Sequence, residues 1–290
     1  MFENVIFAGG GSRCVWQLGF WTGANEAGLG LDQQVTYVAS TSAGCAMATA
    51  AILGRAEEAL HGFKDLTAAN PRNIHWRNLM PGSGKPLLPH MTMYRQAMLD
   101  LLTTEDLRLL KQKTLEFLIA RRPAHLPGPL GPLVGFTVYG LEKRFTGRVH
   151  PRWSSRLGFE PIMANAGEAE NVQDLIDMIL AASCVPPVLP SPPFRDRQIL
   201  DGGMIDDVPA FMADDRSGET LVLLSKRYRR ALPEVPGRTY VQPSAPIRMD
   251  KFDYANPEGL QEVFELGAAD GRAFSRKHAR AREEGRAQQL

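Results

Sequence analysis

Apolar and polar positions alternate in two similar units over roughly the first 55 residues of the chain. Residues 5–8 form an apolar run that ends in three glycines, and residues 15–27 have the spacing of a helix. Residues 35–39 form a second apolar run, which leads through residues 40–44 into the alanine-rich stretch 45–53. Each unit predicts a buried strand, a tight turn and a helix. Two such units in succession favour a parallel α/β sheet with its functional loops at the carboxyl ends of the strands.

The middle of the chain has a less regular pattern. Residues 56–122 are predicted to be mostly helical, with an irregular stretch at 70–89. Residues 123–132 contain too much proline for a helix or a strand and predict a connector. Residues 133–139 alternate well enough for a strand or a hairpin, with Phe145 nearby. The whole stretch 56–132 is a candidate helical cap or insertion within a single domain that spans residues 1–290.

The C-terminal third returns to clear strand and helix signals. Residues 172–182 have helical spacing after Asn171, a residue type that often caps helices. A proline-dense loop then leads to residues 198–200 and to Asp201, and residues 220–224 predict another buried strand. We expect a polar helix from about Pro257 to the end of the chain.

The composition suits a large core and excludes binding by bulk charge. Of the 290 residues, 44% are hydrophobic, and 33 Lys and Arg face 32 Asp and Glu, so no net field attracts nucleic acid. The odd number of cysteines (Cys14, Cys45 and Cys184) predicts reduced thiols. The first residues lack a signal-peptide pattern, and no apolar run approaches the roughly 20 residues of a membrane-spanning helix. We therefore expect a cytoplasmic protein that does not bind nucleic acid.

The turn after the second predicted strand contains a candidate nucleophile. Its sequence, Ser40-Thr41-Ser42-Ala43-Gly44, differs from the G-x-S-x-G elbow of serine hydrolases only in its first residue. A serine hydroxyl reacts when a strained turn holds it, a base accepts its proton and hydrogen-bond donors face the oxyanion. The same five residues also fit a simple helix entry with a serine cap, so both interpretations stay open at this point.

The glycine run after the first predicted strand can supply those donors. Gly9, Gly10 and Gly11 precede a helix, where successive backbone N–H groups can face an anion. A dinucleotide fingerprint would need glycine in place of Cys14, and the one Gly-Lys pair, which begins at Gly84, is followed by proline rather than by Ser or Thr. An oxyanion hole is therefore a better use of these donors than a nucleotide site.

The base is the harder group to find. A triad in the α/β-hydrolase order Ser, Asp, His would need a histidine after Asp201, and only His278 satisfies that order. His278 lies in a charged stretch that has the pattern of a solvated helix face. No metal-binding motif is found either. The candidate that remains is Asp201 itself, at the start of Asp-Gly-Gly, although this triplet is also common in simple turns.

Four blocks in this order resemble the patatin-like phospholipase family, in its bacterial type. They are Gly9-Gly10-Gly11-Ser12-Arg13, Ser40-Thr41-Ser42-Ala43-Gly44, Ala181-Ala182-Ser183-Cys184-Val185-Pro186 and Asp201-Gly202-Gly203. Together they extend over most of the chain up to Pro209 and are more specific than any one block alone. The resemblance implies an α/β fold, a three-layer α/β/α sandwich with a mostly parallel central sheet.

The resemblance also implies a mechanism and its residues. Ser42 would be the nucleophile and Asp201 the general base of a Ser-Asp dyad that needs no histidine, no metal and no other cofactor. The remaining motif residues would shape the site: the N–H groups of Gly10, Gly11 and Ser12 as oxyanion hole, Gly9 and Arg13 as supports of that loop, and Gly44, Gly202 and Gly203 as turn residues. The chain would then hydrolyse fatty-acyl esters of phospholipids or related lipids through an acyl-enzyme.

Three positions depart from the family pattern, and they keep alternatives open. Ser40 replaces the first glycine of the elbow, Cys14 replaces a glycine beyond the loop, and Asp207 stands where asparagine is usual. One alternative is a catalytically silent relative that binds lipid or protein, and another is an esterase that uses His278. An acyl transferase would use the same residues as a hydrolase.

A lipid substrate implies transient contact with a membrane surface. The apolar and methionine-rich stretch 76–102 is one candidate for binding acyl chains, although most of its residues also suit the core of the domain. The arginines and lysine of the C-terminal helix are another candidate surface, but glutamates interleave with them, as on an ordinary solvated helix. The residues do not indicate an oligomeric state.

Overall fold

The computed structural model describes residues 1–80, 85–123, 149–150, 158–186, 188–190, 194 and 199–287. The predicted strand or hairpin at 133–139 and almost all of the predicted connector lie outside the described residues. Every statement on the structure below concerns the described part of the chain.

The described residues form seven strands, eight α-helices and several short 3-10 helices. The strands are β1 (Phe2–Phe7), β2 (Tyr37–Thr41), β3 (Thr114–Arg121), β4 (Glu160–Asn165), β5 (Ile199–Asp201), β6 (Glu219–Leu223) and β7 (Arg238–Val241). The α-helices are α1 (Val15–Glu26), α2 (Leu31–Gln34), α3 (Gly44–Ile52), α4 (Ala56–Ala68), α5 (His90–Leu101), α6 (Thr104–Leu110), α7 (Val172–Ala182) and α8 (Pro257–Ala287). Asn171 caps α7 as predicted, since its side-chain oxygen accepts a hydrogen bond from the Asp174 N–H at 3.0 Å.

All seven strands join one mixed sheet in the order β4-β3-β2-β1-β6-β7, with β5 also paired to β3. The pairs β1–β2, β2–β3, β1–β6 and β6–β7 are parallel, and only β4 and β5 run antiparallel to their neighbour β3. Helices flank this sheet. The prediction of an α/β fold with a mostly parallel central sheet is confirmed.

The central strands of the sheet are buried on both faces. Alternate residues of β1 point to different apolar clusters: Phe7 packs with the α-helices, and Ile6 packs with the opposite face. In the described chain, residues 205–213 and a 3-10 helix at Ala210–Ala213 cover that opposite face. Burial on two sides explains why the strands have nearly continuous apolar runs.

Strand β3 corrects one prediction. The stretch 56–122 was expected to be mostly helical, and α4, α5 and α6 agree with that, but Thr114–Arg121 is an interior strand of the sheet, between β4 and β2. Its core, Phe117 to Ala120, is fully buried. A short apolar run that is buried on all sides has no periodicity that separates strand from helix, so only its neighbours decide its structure.

Helix α8, which was predicted as a polar helix, packs closely against α1 over part of its length. Four glycines bring its backbone against α1: a Cβ on Gly19 would lie 2.0 Å from the Phe264 carbonyl oxygen, and a Cβ on Gly267 would lie 2.1 Å from the Trp16 carbonyl oxygen. Gly23 and Gly271 make equivalent contacts one turn further along. No helix of the described chain, α8 included, is both long and apolar enough to cross a bilayer.

This contact predicts that adding one methyl group destabilises the protein at Gly19 but not at a helical glycine with open space around it. Gly19→Ala should lower the free energy of unfolding by about 1–3 kcal/mol, because the two helices must move apart. Gly62→Ala in α4 is the matched control, since its Cβ would meet nothing within 4 Å. The control should leave stability unchanged or raise it by up to about 1 kcal/mol, since alanine favours helix. Urea unfolding of both variants checks this, and equal midpoints would contradict the close contact.

Candidate active site

Ser42 lies in a tight turn between β2 and α3. Its φ of 54° is the only positive φ of a non-glycine residue in the described chain. Such left-handed backbone is strained for serine and is typical of a nucleophile elbow. The turn is also closely packed: a Cβ on Gly44 would lie 2.7 Å from the Ala8 carbonyl oxygen, and a Cβ on Gly9 would lie 2.9 Å from the Ser42 Cβ. Glycine is therefore required at position 44, where the turn meets the end of β1, and at position 9, where the glycine loop meets Ser42.

Ser40 fits into β2 without disturbing this turn. The residue is fully buried, and its hydroxyl donates a hydrogen bond to the Glu116 carbonyl oxygen of β3 at 3.4 Å. It lies opposite Phe7 on one side and Phe117 on the other, in regular parallel register. The backbone at this position is ordinary strand, so the glycine of the usual elbow is not needed here.

The glycine loop after β1 has two free amide groups. Among the described contacts, the backbone N–H groups of Gly10 and Gly11 have no acceptor. The turn is fixed from outside: Ser225 donates to the Gly9 carbonyl oxygen at 2.5 Å, and Arg13 Nε donates to the Gly10 carbonyl oxygen at 3.4 Å. Gly11 has a φ of 63°, and a Cβ there would lie 2.0 Å from the Lys251 carbonyl oxygen.

Ser12 differs from the two glycines that precede it. Its N–H donates to the Lys251 carbonyl oxygen at 2.9 Å, and its hydroxyl donates to the Asp253 carbonyl oxygen at 3.1 Å. Because the Ser12 N–H is already occupied, the expectation of a third oxyanion donor is corrected. Ser12 instead ties the glycine loop to residues 251–253.

Cys14 lies beneath the loop as a neutral, packed thiol. Its sulfur is completely buried and donates to the Ala8 carbonyl oxygen at 3.4 Å. Burial raises the pKa of the Cys14 thiol to about 12. A thiol of this kind is not a nucleophile at neutral pH.

The pairing of β3 brings the turn of Ser42 and Asp201 to the same part of the sheet. Strand β2 ends with Thr41 opposite Leu118, and β5 ends with Asp201 opposite Ile119, the next residue of β3. Strand β4 occupies the other edge of β3 over the same residues. The carboxyl ends of β2 and β5 therefore meet on one edge of β3, and Ser42, the residue that follows β2, lines a common cavity with Asp201.

The loop after β5 holds the Asp201 carboxylate. Asp201 is 5% exposed, its N–H donates to the Cys184 carbonyl oxygen at 2.8 Å, and its Oδ1 accepts from the Gly203 N–H at 2.6 Å. A Cβ on Gly202 would lie 2.0 Å from the Leu118 carbonyl oxygen, so β3 and this loop are in close contact. No hydrogen bond joins the Asp201 carboxylate to Ser42 among the described contacts.

A second carboxylate lies beside the first. A Cβ on Gly203 would be 2.5 Å from Asp207 Oδ1 and 2.8 Å from Asp201 Oδ1, so only glycine fits between the two aspartates. The Asp207 carbonyl oxygen also accepts the Gly9 N–H at 2.8 Å. The loop after β5 and the glycine loop after β1 are thereby joined directly.

A cavity of about 200 Å³ brings these groups together. Its lining includes Gly11, Ser42, Asp201, Asp207 and the half-buried Lys251. An adjoining cavity of about 90 Å³ extends between α3, α4 and α5 and has a mostly apolar lining. The residues common to both cavities are Gly11, Ala43, Tyr94 and Tyr254.

The sequence pattern did not single out Lys251, Tyr94 or Tyr254, although Tyr94 lies within the candidate acyl-binding stretch 76–102. Burial lowers the pKa of the Lys251 ammonium, and the charge of Asp201 opposes that shift. Tyr94 hydrogen-bonds the Ser183 hydroxyl at 3.3 Å, and Tyr254 is almost fully buried. No local pattern marks these residues, because they come from distant parts of the chain and meet only in the fold.

His278 cannot serve Ser42, which corrects the triad alternative. Its ring packs against Phe2 and Phe274, with ring centroids 5.1 and 6.0 Å apart. Phe2 begins β1, whereas Ser42 follows the carboxyl end of the parallel strand β2. At about 3.3 Å per residue, these two ends of the sheet are roughly 16 Å apart.

Another histidine pairs with an aspartate elsewhere in the fold. His150 Nδ1 lies 2.7 Å from Asp206 Oδ2, and its Nε2 lies 3.0 Å from the Tyr240 hydroxyl. These three residues are not part of the described lining of the Ser42 cavity. Within the described ranges, no three His, Cys, Asp or Glu side chains group in a way that could hold a metal ion.

Comparison with known proteins gives one informative match. The model of the family described as patatin-like phospholipase matches residues 5–214. Comparison with curated proteins gives no significant match. The crystal structure of VipD from Legionella pneumophila is similar over 96% of this chain and 67% of that chain, with 10% identity and a TM-score of 0.42, which is too distant to support an argument. Because the family model spans well over half of the sequence and includes Ser42 and Asp201, the chain belongs to the patatin-like phospholipase family.

Proposed function

We propose that the chain is a serine acyl hydrolase that cleaves fatty-acyl esters of phospholipids through a Ser42-Asp201 dyad. Membership of the family supports lipid acyl hydrolase activity in general. The observation that carries the finer proposal is the meeting of β2 and β5 on consecutive residues of β3. This meeting gives the strained Ser42 and the buried Asp201 one cavity, beside a loop with two free amides.

The proposed reaction needs only groups of this chain and water. Asp201 accepts the proton of the Ser42 hydroxyl as the serine oxygen attacks the ester carbonyl. The N–H groups of Gly10 and Gly11 donate to the resulting oxyanion, and the positive end of the α3 dipole adds to this stabilisation. The alcohol leaves with a proton from Asp201, and the acyl group stays on Ser42. Water then attacks the acyl-enzyme, with Asp201 again accepting and returning the proton.

The two cavities support a substrate with one apolar and one anionic part. The adjoining cavity is lined by apolar side chains such as Met47, Phe63 and Met98, which suit an acyl chain. Lys251 has no ion-pair or hydrogen-bond partner for its ammonium group in the described chain. An anionic head group, such as a phosphodiester, would provide that partner.

The dyad predicts the effect of removing either reacting group. Ser42→Ala and Asp201→Asn should each lower kcat for phospholipid hydrolysis by more than about 10³-fold, and Ser42→Ala should abolish labelling by a fluorophosphonate probe. Ser275→Ala is the matched control, because this buried serine bonds the Ala27 carbonyl oxygen far from the site.

Asp207→Asn decides which carboxylate is the base. It should leave most of the activity, because asparagine retains the shape of the side chain and Asp201 remains. Loss of activity in Asp207→Asn with retention in Asp201→Asn would reverse the assignment. If no variant differs from the wild type on any lipid, and the probe labels none of them, the chain is a catalytically silent relative.

The oxyanion loop predicts a second, steric effect. In Gly11→Ala the new Cβ would collide with the Lys251 carbonyl oxygen and displace the loop, so kcat should fall about 10²–10³-fold, as when an oxyanion donor is lost. Gly54→Ala is a matched control, because Gly54 has a similar φ of 69° but open space around its Cβ. Both variants should lose about 1–2 kcal/mol of stability from the left-handed backbone. Equal kcat values in the two variants would contradict the proposed hole.

Lys251 predicts a change in substrate preference. Lys251→Met should lower kcat/KM for a phospholipid by about tenfold or more, since about 1.4 kcal/mol of charge pairing is lost. With an uncharged glyceride of the same acyl chain, kcat/KM should change much less. Parallel assays of both substrates measure this difference, and an equal loss on both would assign Lys251 to the support of the glycine loop alone.

A further inference from the structure

Four large apolar side chains are exposed together on one short segment. Ile74, Trp76, Leu79 and Met80 are 37%, 62%, 63% and 67% exposed, and we call these four residues the Trp76 patch. Trp76 and Leu79 begin and end a 3-10 helix. The other large apolar side chains that are exposed in the described chain are spread over distant positions. An exposed apolar cluster of this kind marks a contact surface more often than a single exposed residue does.

The charges along the segment that carries the patch have one sign. No Asp or Glu occurs between Asp65 and Asp100, whereas Arg72, Arg77 and Lys85 occur close to the patch. All three cations are exposed, and none forms an ion pair in the described chain. Cations beside exposed tryptophan, leucine and methionine are complementary to an anionic lipid surface.

Hydrogen bonds hold the segment in a defined shape. The His75 N–H donates to the Leu87 carbonyl oxygen at 2.9 Å, and the Asn78 side chain donates to the Pro86 carbonyl oxygen at 2.7 Å. These two contacts join residues 75–78 to residues 86–87. The patch therefore lies on a segment whose backbone is held by hydrogen bonds, and its apolar side chains are exposed on the outside of that segment.

Hydrogen bonds connect the start of this segment to the wall of the Ser42 cavity. His75 Nε2 lies 2.7 Å from Asn70 Oδ1, and the Asn70 side chain donates to the Tyr254 carbonyl oxygen at 2.7 Å. The Tyr254 N–H donates to Asn73 Oδ1 at 2.7 Å. Tyr254 lines the cavity with Ser42. Residues 70–75, next to the patch, are thus hydrogen-bonded to a residue that lines the cavity of the proposed catalytic groups. A membrane bound to the patch would lie close to that cavity.

We propose that the Trp76 patch, with Arg72, Arg77 and Lys85, docks this protein on the surface of an anionic phospholipid bilayer. The purpose of this docking rests on the proposed function, because an acyl hydrolase of membrane lipids must reach esters that lie in the interface. Trp76 and its apolar neighbours insert at the level of the head groups, and the three cations bind the lipid phosphates. A second copy of the chain fits the patch less well, because a symmetric contact would place these unpaired cations against each other.

The test measures binding without turnover. Ser42→Ala protein is sedimented with vesicles of phosphatidylcholine alone and of phosphatidylcholine with 30% phosphatidylglycerol. The anionic vesicles should bind it at least about tenfold more tightly, and added salt should weaken that binding. Combining Trp76→Ser, Leu79→Ser and Met80→Ser should lower binding about tenfold or more. Arg72→Glu with Arg77→Glu should remove the preference for anionic vesicles.

A matched control separates this surface from general surface apolarity. Leu99→Ser, Leu109→Ser and Met163→Ser together remove three exposed side chains, 44%, 42% and 56% exposed, away from the patch. This control should bind vesicles like the parent. Equal binding by the patch variant and the control would overturn the proposal. The proposal would also be overturned if the parent did not bind vesicles and the patch variant self-associated less than the parent in sedimentation velocity.

Docking and catalysis can fail separately. In protein with Ser42 intact, the patch variant should hydrolyse a water-soluble short-chain ester at the parent rate but vesicle phospholipid at least about tenfold more slowly. Vesicle binding without hydrolysis of any ester would overturn the proposed function and leave docking intact. Hydrolysis of vesicle lipid at parent rates by the patch variant would overturn docking and leave the proposed function intact.

Discussion

One edge of β3 carries both β2 and β5, and the candidate site depends on that shared pairing. Thr41 faces Leu118 and Asp201 faces Ile119, so two segments separated by about 160 residues end on neighbouring positions of the same strand. Backbone hydrogen bonds set this register, and a slip of one residue would turn the side chains to the other face. The β3 edge therefore decides whether Ser42 and Asp201 can act on one substrate.

The second constraint is that backbone segments lie in close contact, which glycine permits both in the loops of the site and between two helices. Gly9 leaves room for Ser42, Gly44 lets the turn approach the end of β1, Gly203 leaves room for two carboxylates, and Gly19 and Gly267 bring α1 and α8 together. Ser40 and Cys14, which depart from the family pattern, are accommodated without disturbing these contacts. The Ser40 hydroxyl bonds to β3, and the Cys14 thiol stays neutral and buried below the loop. Neither change removes a reacting group from the cavity.

Much of the fold could be predicted because its strands and helices alternate with clear turn signals. Helix α1, helix α3 and the cap of α7 agree closely with the predicted bounds, since local spacing and capping chemistry decide them. Strand β3 could not be predicted, because its core, Phe117 to Ala120, is buried between other strands and carries no helix or strand period. The face of α8 that contacts α1 was missed for a related reason. Its glycines have meaning only beside another helix.

The candidate site divides in the same way. The amino-acid sequence determined the chemistry available: a serine in a tight turn, a glycine run after a strand, and an aspartate before two glycines. These features are local, so neighbouring residues are enough to define them. Tertiary structure alone decided which groups meet. It places His278 beside Phe2 at the opposite end of the sheet, occupies the Ser12 N–H, and brings Lys251 into the Ser42 cavity. Each of these outcomes depends on contacts between residues that are far apart in the chain, and such contacts leave no periodic pattern in the sequence.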